Sequence, residues 1–349
     1  MKEFKIGRFN IGTNAAPFII AEMSGNHNQS LDRALELVEA AAEAGAHALK
    51  LQTYTADTIT IDHRGGLFDI QDKDSLWSGQ NLYDLYKEAH TPWEWHGPIF
   101  DRAKELGMVA FSSPFDETAV DFLEDLNVPA YKIASFESAH HPLLRKVAAT
   151  GKPVIISSGA SRLDELYESV RVLREAGATQ ICVLKCTSTY PATPENTNLR
   201  TIPVLQDIFS DCKVGLSDHT MGIGVSVAAV ALGASVIEKH FTLRRADGGV
   251  DSAFSLEPQE LKALVTETER AWQGLGHIQL DTQKAEKKSR QFKRSIYVVK
   301  DIAPGETFTP ENLRVIRPGD GLAPKHYDEL MGKKATVAMQ RGTPFTGLF

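Results

Sequence analysis

The chain has 349 residues, enough for one large domain plus a small one, and its 42% hydrophobic and 24% charged residues are those of an ordinary soluble globular protein. A net charge of −7 argues against nonspecific nucleic-acid binding, which rests on Lys and Arg neutralising phosphates. No apolar stretch is long enough for a membrane-spanning helix, and the three cysteines, Cys182, Cys186 and Cys212, show no paired spacing, which fits a reducing cytoplasm.

At the N-terminus, Lys2, Lys5 and Arg8 are not followed by the long apolar run of a secretory signal. The residues before Pro17 are expected to form a hairpin closing the bottom of a barrel. Short apolar runs then recur at 18–22, 48–52, 109–112, 131–134, 154–157, 182–186, 214–216 and 236–238. Each reads as a strand buried on both faces, as parallel strands are. Between them lie amphipathic helical patterns, among them 31–44, 93–106, 119–126, 163–176 and 224–232. Ser30 is an expected N-cap, and so is Ser161 with Asp164 three residues on. Gly45, Gly107 and Gly177 suit helix ends. Eight strand–helix units read as an α/β fold, a (β/α)8 TIM barrel, with a doubly wound open sheet as the alternative. The stretch 54–91 is too long for an ordinary loop and carries Trp77, Tyr83 and Tyr86, so it is expected to be an insertion over the site.

After Gly276 the character changes. Residues 283–294 are polar and basic, reading as a linker or exposed helix, and a small β-rich unit follows. The expected domains are a barrel with its hairpin over 1–280, a linker over 281–293, and the small domain over 294–349.

The chemistry lies at the strand ends. The first strand ends in Glu22, the second carries Lys50 and Gln52, and the third Ser112 and Ser113. The fourth leads through Lys132 to Ser135 and Glu137, and the fifth ends at Ser157 and Ser158. The sixth leads through Lys185 to Ser188 and Tyr190, the seventh to Ser217, Asp218 and His219, and the eighth to Glu238, Lys239 and His240. In a barrel these ends converge on the face where such enzymes hold their active sites. Lys50 and Lys132 lie inside apolar runs, where an ammonium needs a compensating anion, so a phosphate and carboxylate cradle is expected. His219 and His240 end neighbouring strands and are metal candidates, with Glu22 or Asp251 completing the shell; a structural or acid–base pair is the alternative. Cys182 and Cys186 read as buried structural thiols.

Seven segments in order resemble the sialic acid synthase family: 21–27 (AEMSGNH), 50–54 (KLQTY), 111–115 (FSSPF), 131–137 (YKIASFE), 185–191 (KCTSTYP), 215–220 (GLSDHT) and 238–242 (EKHFT). The C-terminal segment is similar to the antifreeze-like (SAF) domain of that family. The resemblance covers essentially the whole chain. It implies phosphoenolpyruvate and an acetamido-sugar as partners, a divalent cation, Mn²⁺ or Mg²⁺, on His219 and His240, and a domain-swapped homodimer. It implies that Ser112, Lys132, Ser135, Ser157 and Ser217 hold the phosphate, with Ser188 where the family often has Asn. Lys50 and Gln52 match positions near the enolpyruvate carboxylate. Glu22, Tyr190 and Asp251 match sugar-side or metal-side contacts, Glu137 a catalytic carboxylate, and Arg317 an arginine offered to the partner's sugar. Ala134 and Phe136, standing where the N-acetylneuraminate branch tends to have Gly, resemble the pseudaminate branch. Phe136 reads either as an apolar wall or as packing beneath the site. Legionaminate and N-acetylneuraminate synthesis, a metal-dependent pyruvate aldolase, and a catalytically dead carbohydrate-binding barrel are the alternatives.

Overall fold

Eight apolar runs pair side by side and close on themselves. In a computed structural model, described over residues 3–73 and 75–347, a hairpin of β1 (Phe4–Ile6) and β2 (Phe9–Ile11) precedes the barrel strands. These are β3 (Phe18–Glu22), β4 (Ala48–Thr53), β5 (Val109–Pro114), β6 (Tyr131–Ile133), β7 (Val154–Ser157), β8 (Ile181–Cys186), β9 (Lys213–Asp218) and β10 (Val236–His240). All neighbours are parallel, and β10 returns to β3, so no open edge remains. Lys2 lies outside the described residues.

The connecting helices are α1 (Leu31–Glu43), α2 (Ala56–Ile59), α3 (Leu82–Ala89), α4 (His96–Glu105), α5 (Glu117–Asp125), α6 (His141–Ala149), α7 (Leu163–Glu175), α8 (Thr201–Ile208), α9 (Gly224–Ala231) and α10 (Pro258–Leu275). Their apolar stripes bury Leu37, Ile99, Leu123, Leu144, Leu173, Leu205 and Leu261 against the barrel wall. The hairpin packs at the N-terminal ends of the strands, with Phe9 5.5 Å from Phe18 and 5.0 Å from His47 by ring centroid. Ser30 caps α1, accepting from the Arg33 backbone N–H at 3.2 Å. Ser161 does not cap α7. Arg162 stands at that position and Glu165 accepts its backbone N–H at 2.8 Å, while the Ser161 hydroxyl is engaged with Ser138 at 2.9 Å. α8 carries Pro203 in its first turn, where a missing N–H costs no intrahelical bond.

The chain divides into two compact units, Met1–Gly276 and His277–Phe349. In the second, an exposed 3₁₀ segment, Lys284–Phe292, precedes β11 (Ser295–Val298), which pairs antiparallel with β12 (Leu313–Ile316); α11 (Tyr327–Leu330) follows. This unit has its own core of Ile296, Val298, Ile302, Phe308, Leu313, Leu330, Ala335 and Phe345.

Candidate active site

Strand register decides which side chains meet. Glu22 pairs with Lys50 on one side and His240 on the other, and Ser217 pairs with both Cys186 and Glu238. Because side chains alternate along a strand, these positions share the barrel interior with Gln52, Ser113, Lys132, Ser157 and His219. The result is a buried charge cluster. Lys50 ion-pairs with Glu22, lies 3.7 Å from Glu238 and donates to Ser113 Oγ at 3.2 Å. Lys132 lies 3.4 Å from Glu238, which also accepts from Ser217 Oγ at 2.9 Å. Gln52 donates to Glu22 at 3.1 Å. Each ammonium therefore faces a carboxylate, without which its burial would be prohibitive. Burial pushes Glu22 up to about 7, with Lys50 opposing the rise and Glu238 adding to it. Burial also lowers Lys132 from the usual lysine range.

A hydroxyl cradle adjoins this cluster. Ser135 Oγ lies 3.5 Å and Ser188 Oγ 3.7 Å from Cys186 Sγ. A β-carbon on Gly159 would lie 2.6 Å from Ser135 Oγ and collide with Ser188 Oγ, so the bare α-carbon keeps the space between them open. The buried Ser157 hydroxyl has no hydrogen-bond partner among the described residues, which marks a place for a ligand. Ser112 is the exception to the expected set. Its hydroxyl contacts Thr53 Oγ1 at 2.6 Å, and Thr53 contacts His96 on α4 at 2.8 Å. Alternation turns Ser112 into the wall behind the strand, and Ser113 takes the interior place.

His219 and His240 face each other with ring centroids 5.3 Å apart. His219 donates its Nδ1–H to the Thr187 carbonyl at 2.9 Å, and although burial opposes its charge, Cys186 raises its pKa above the usual imidazole range. His240 Nδ1 is buried without a hydrogen-bond partner among the described residues, and burial beside His219 holds this imidazole well below its usual range. Two oriented imidazoles, His240 neutral and with an orphaned nitrogen, fit a divalent cation, which would take the deprotonated ring of each. Among the described residues, no three His, Cys, Asp or Glu side chains stand close enough to hold a metal by themselves. Glu22 is engaged by Lys50 and Gln52, and Asp251 accepts from Ser24 Oγ. Tyr190 lies 4.5 Å from His219, and Phe254 4.9 Å from His240, by ring centroid.

Cys186 is no inert packing residue. It lines the cradle, and although burial works against its ionisation, neighbouring His219 brings the thiol down to about 6. Cys182, by contrast, is pushed far up by burial. Glu238 and Ser113 also belong to the site; strand alternation, counted back from His240 and across from Gln52, is the signal that points to them.

Glu137 follows β6 with its Oε2 buried and lacking a hydrogen-bond partner among the described residues. Burial pushes it up to about 7, against the pull of Lys132 and Lys50. Rising pH ionises this group first in the unfolded chain, so its contribution to stability is present below about pH 4.5 and lost as pH climbs through about 7. Glu137→Gln removes that loss. Urea melts should show the variant gaining on the parent, from no difference near pH 4.5 to something on the order of 2 kcal/mol at pH 8. A difference independent of pH would contradict this.

Phe136 does not pack beneath the site; the residue is 65% exposed. Arg317 follows β12 in the second unit and is exposed. No helix among the described residues is long and apolar enough to cross a membrane.

Comparison with known proteins gives the family. The NeuB family matches residues 37–279 and the SAF domain residues 293–347. The chain is 45% identical over 338 residues to a pseudaminic acid synthase of Campylobacter jejuni, covering 97% of each chain. It is 39% identical over 322 residues to an N,N'-diacetyllegionaminic acid synthase of the same species, covering 91% of this chain and 95% of that one. A crystal structure of an N-acetylneuraminic acid synthetase from Leptospira borgpetersenii in complex with citrate superposes with a TM-score of 0.72 at 32% identity. That match covers 82% of this chain and 95% of the other.

Proposed function

Since the chain belongs to the NeuB family, we propose that it condenses phosphoenolpyruvate with 2,4-diacetamido-2,4,6-trideoxy-L-altrose and water, giving pseudaminic acid and phosphate. The observation that carries the reading is the barrel interior itself. Two buried lysines and a group of hydroxyls, suited to an anion, stand beside two facing histidines suited to a cation. The higher identity to the pseudaminate-forming than to the legionaminate-forming relative supports the choice of sugar.

Lys132, Ser135, Ser157, Ser188 and Ser217 hold the phosphate, preorganised so that charge developing there meets fixed donors. Lys50 and Gln52 receive the enolpyruvate carboxylate. Glu22, Tyr190 and Asp251 orient the open-chain sugar. A divalent cation, Mn²⁺ or Mg²⁺, bound by His219 and His240 would supply Lewis acidity toward the sugar aldehyde. Carbon 3 of phosphoenolpyruvate forms the new bond to the aldehyde carbon, water adds at carbon 2, and the carbon–oxygen bond to phosphate breaks. Glu137, ionising near neutrality, takes the proton of the attacking water. Arg317 reaches the sugar of a second subunit in a homodimer that exchanges its small domains. The three free thiols fit work in the cytoplasm.

The test offers the trideoxy-altrose sugar and N-acetylmannosamine in parallel with phosphoenolpyruvate and Mn²⁺. Phosphate release is expected with the first. Release with N-acetylmannosamine alone overturns the choice of sugar.

A further inference from the structure

The segment between β4 and α4 carries Trp77 to the ring of Tyr190, which lies beside His219. Trp77 donates its indole N–H to the Val250 carbonyl at 3.0 Å. Its ring lies 5.8 Å from that of Tyr190, and Tyr190 lies 5.3 Å from Phe254 as well as close to His219. The loop that receives Trp77 is itself fixed. A β-carbon on Gly25 would collide with Val250 Cγ2, and neighbouring Asp251 accepts from Ser24. Trp77 is thus tied to the loop carrying Asp251, at the outer end of an aromatic row that begins at the histidines. It is only partly buried.

With the aldehyde at the histidines, as in the reaction proposed above, an open-chain sugar laid along this row would bring its far end to Trp77. We infer that Trp77 is a specificity-determining residue whose indole receives the methyl-bearing end of the sugar. The inference rests on the reaction proposed above and adds the residue that selects a deoxy sugar. A methyl group against an indole loses nothing on leaving water, whereas a hydroxyl there leaves its water partners without replacement.

The test is phosphate release by the full-length protein and by Trp77→Ala and Trp77→Phe. With the trideoxy-altrose sugar, Trp77→Ala should raise the sugar KM about tenfold or more, the scale on which pockets discriminate a methyl-sized apolar group. The KM for phosphoenolpyruvate should not move, and kcat should change little. Trp77→Phe keeps an aromatic face but loses the N–H, and should recover most of the sugar KM. An unchanged sugar KM in Trp77→Ala overturns the inference. So does a Trp77→Phe variant as impaired as Trp77→Ala, because the hydrogen bond to Val250 would then be what matters. A matching rise in the phosphoenolpyruvate KM also overturns it, showing general collapse of the site. Parent protein that uses N-acetylmannosamine alone contradicts the substrate reading itself, before any variant is compared.

Discussion

Replacing His240 with alanine is expected to lower phosphate release by roughly two to three orders of magnitude while the barrel stays folded. His240 ends β10 on the interior face, is neutral, and has a ring nitrogen with no hydrogen-bond partner among the described residues. No third metal-holding group stands close enough among the described residues to replace it. With only His219 left, the cation should be lost from the protein. Manganese electron paramagnetic resonance should show free Mn²⁺ in the variant and bound Mn²⁺ in the parent, with matching circular dichroism spectra. A variant that keeps Mn²⁺-dependent turnover, or a parent equally active in chelator, would remove the histidines from the metal role.

Lys132→Met should be nearly as damaging, for two separable reasons. The ammonium is buried in the barrel interior within electrostatic reach of Cys186 in the hydroxyl cradle, so its loss should raise the phosphoenolpyruvate KM and lower kcat together by about 10²-fold. It also neutralises Glu238 at 3.4 Å, leaving Lys50 at 3.7 Å as that carboxylate's remaining cation. A buried carboxylate stripped of a partner costs about 3 kcal/mol in stability. Adding Glu238→Gln to the variant removes the stranded charge. The double variant should regain stability in urea melts yet remain inactive. An unaltered KM for phosphoenolpyruvate in Lys132→Met would contradict the phosphate role. Failure of Glu238→Gln to restore stability would contradict the charge-pair account.

Much of this architecture is legible in the amino-acid order. The parallel strands are buried on both faces and so read as unbroken apolar runs, and all eight reappear as β3 to β10. What escapes the eye is set by neighbours distant in sequence. Ser112 and Ser113 are equivalent as letters; only the pairing of Gln52 with Ser113 shows which one points inward. Ser161 has the side chain of a cap, but Ser138, 23 residues earlier, claims its hydroxyl. Cys186 looks like packing until β8 and β9 bring it beside His219. Glu238 looks like a strand end until two lysines from other strands converge on it. In each case the local pattern is ambiguous and the register of the closed barrel resolves it.

The most direct measurement of the central claim is phosphate release in the presence of Mn²⁺ and the trideoxy-altrose sugar, with phosphoenolpyruvate or pyruvate as the three-carbon partner. One phosphate released per sugar consumed, with no sugar consumed when pyruvate is supplied, is the expected result. Sugar consumed with pyruvate, or with phosphoenolpyruvate but without phosphate release, would contradict it.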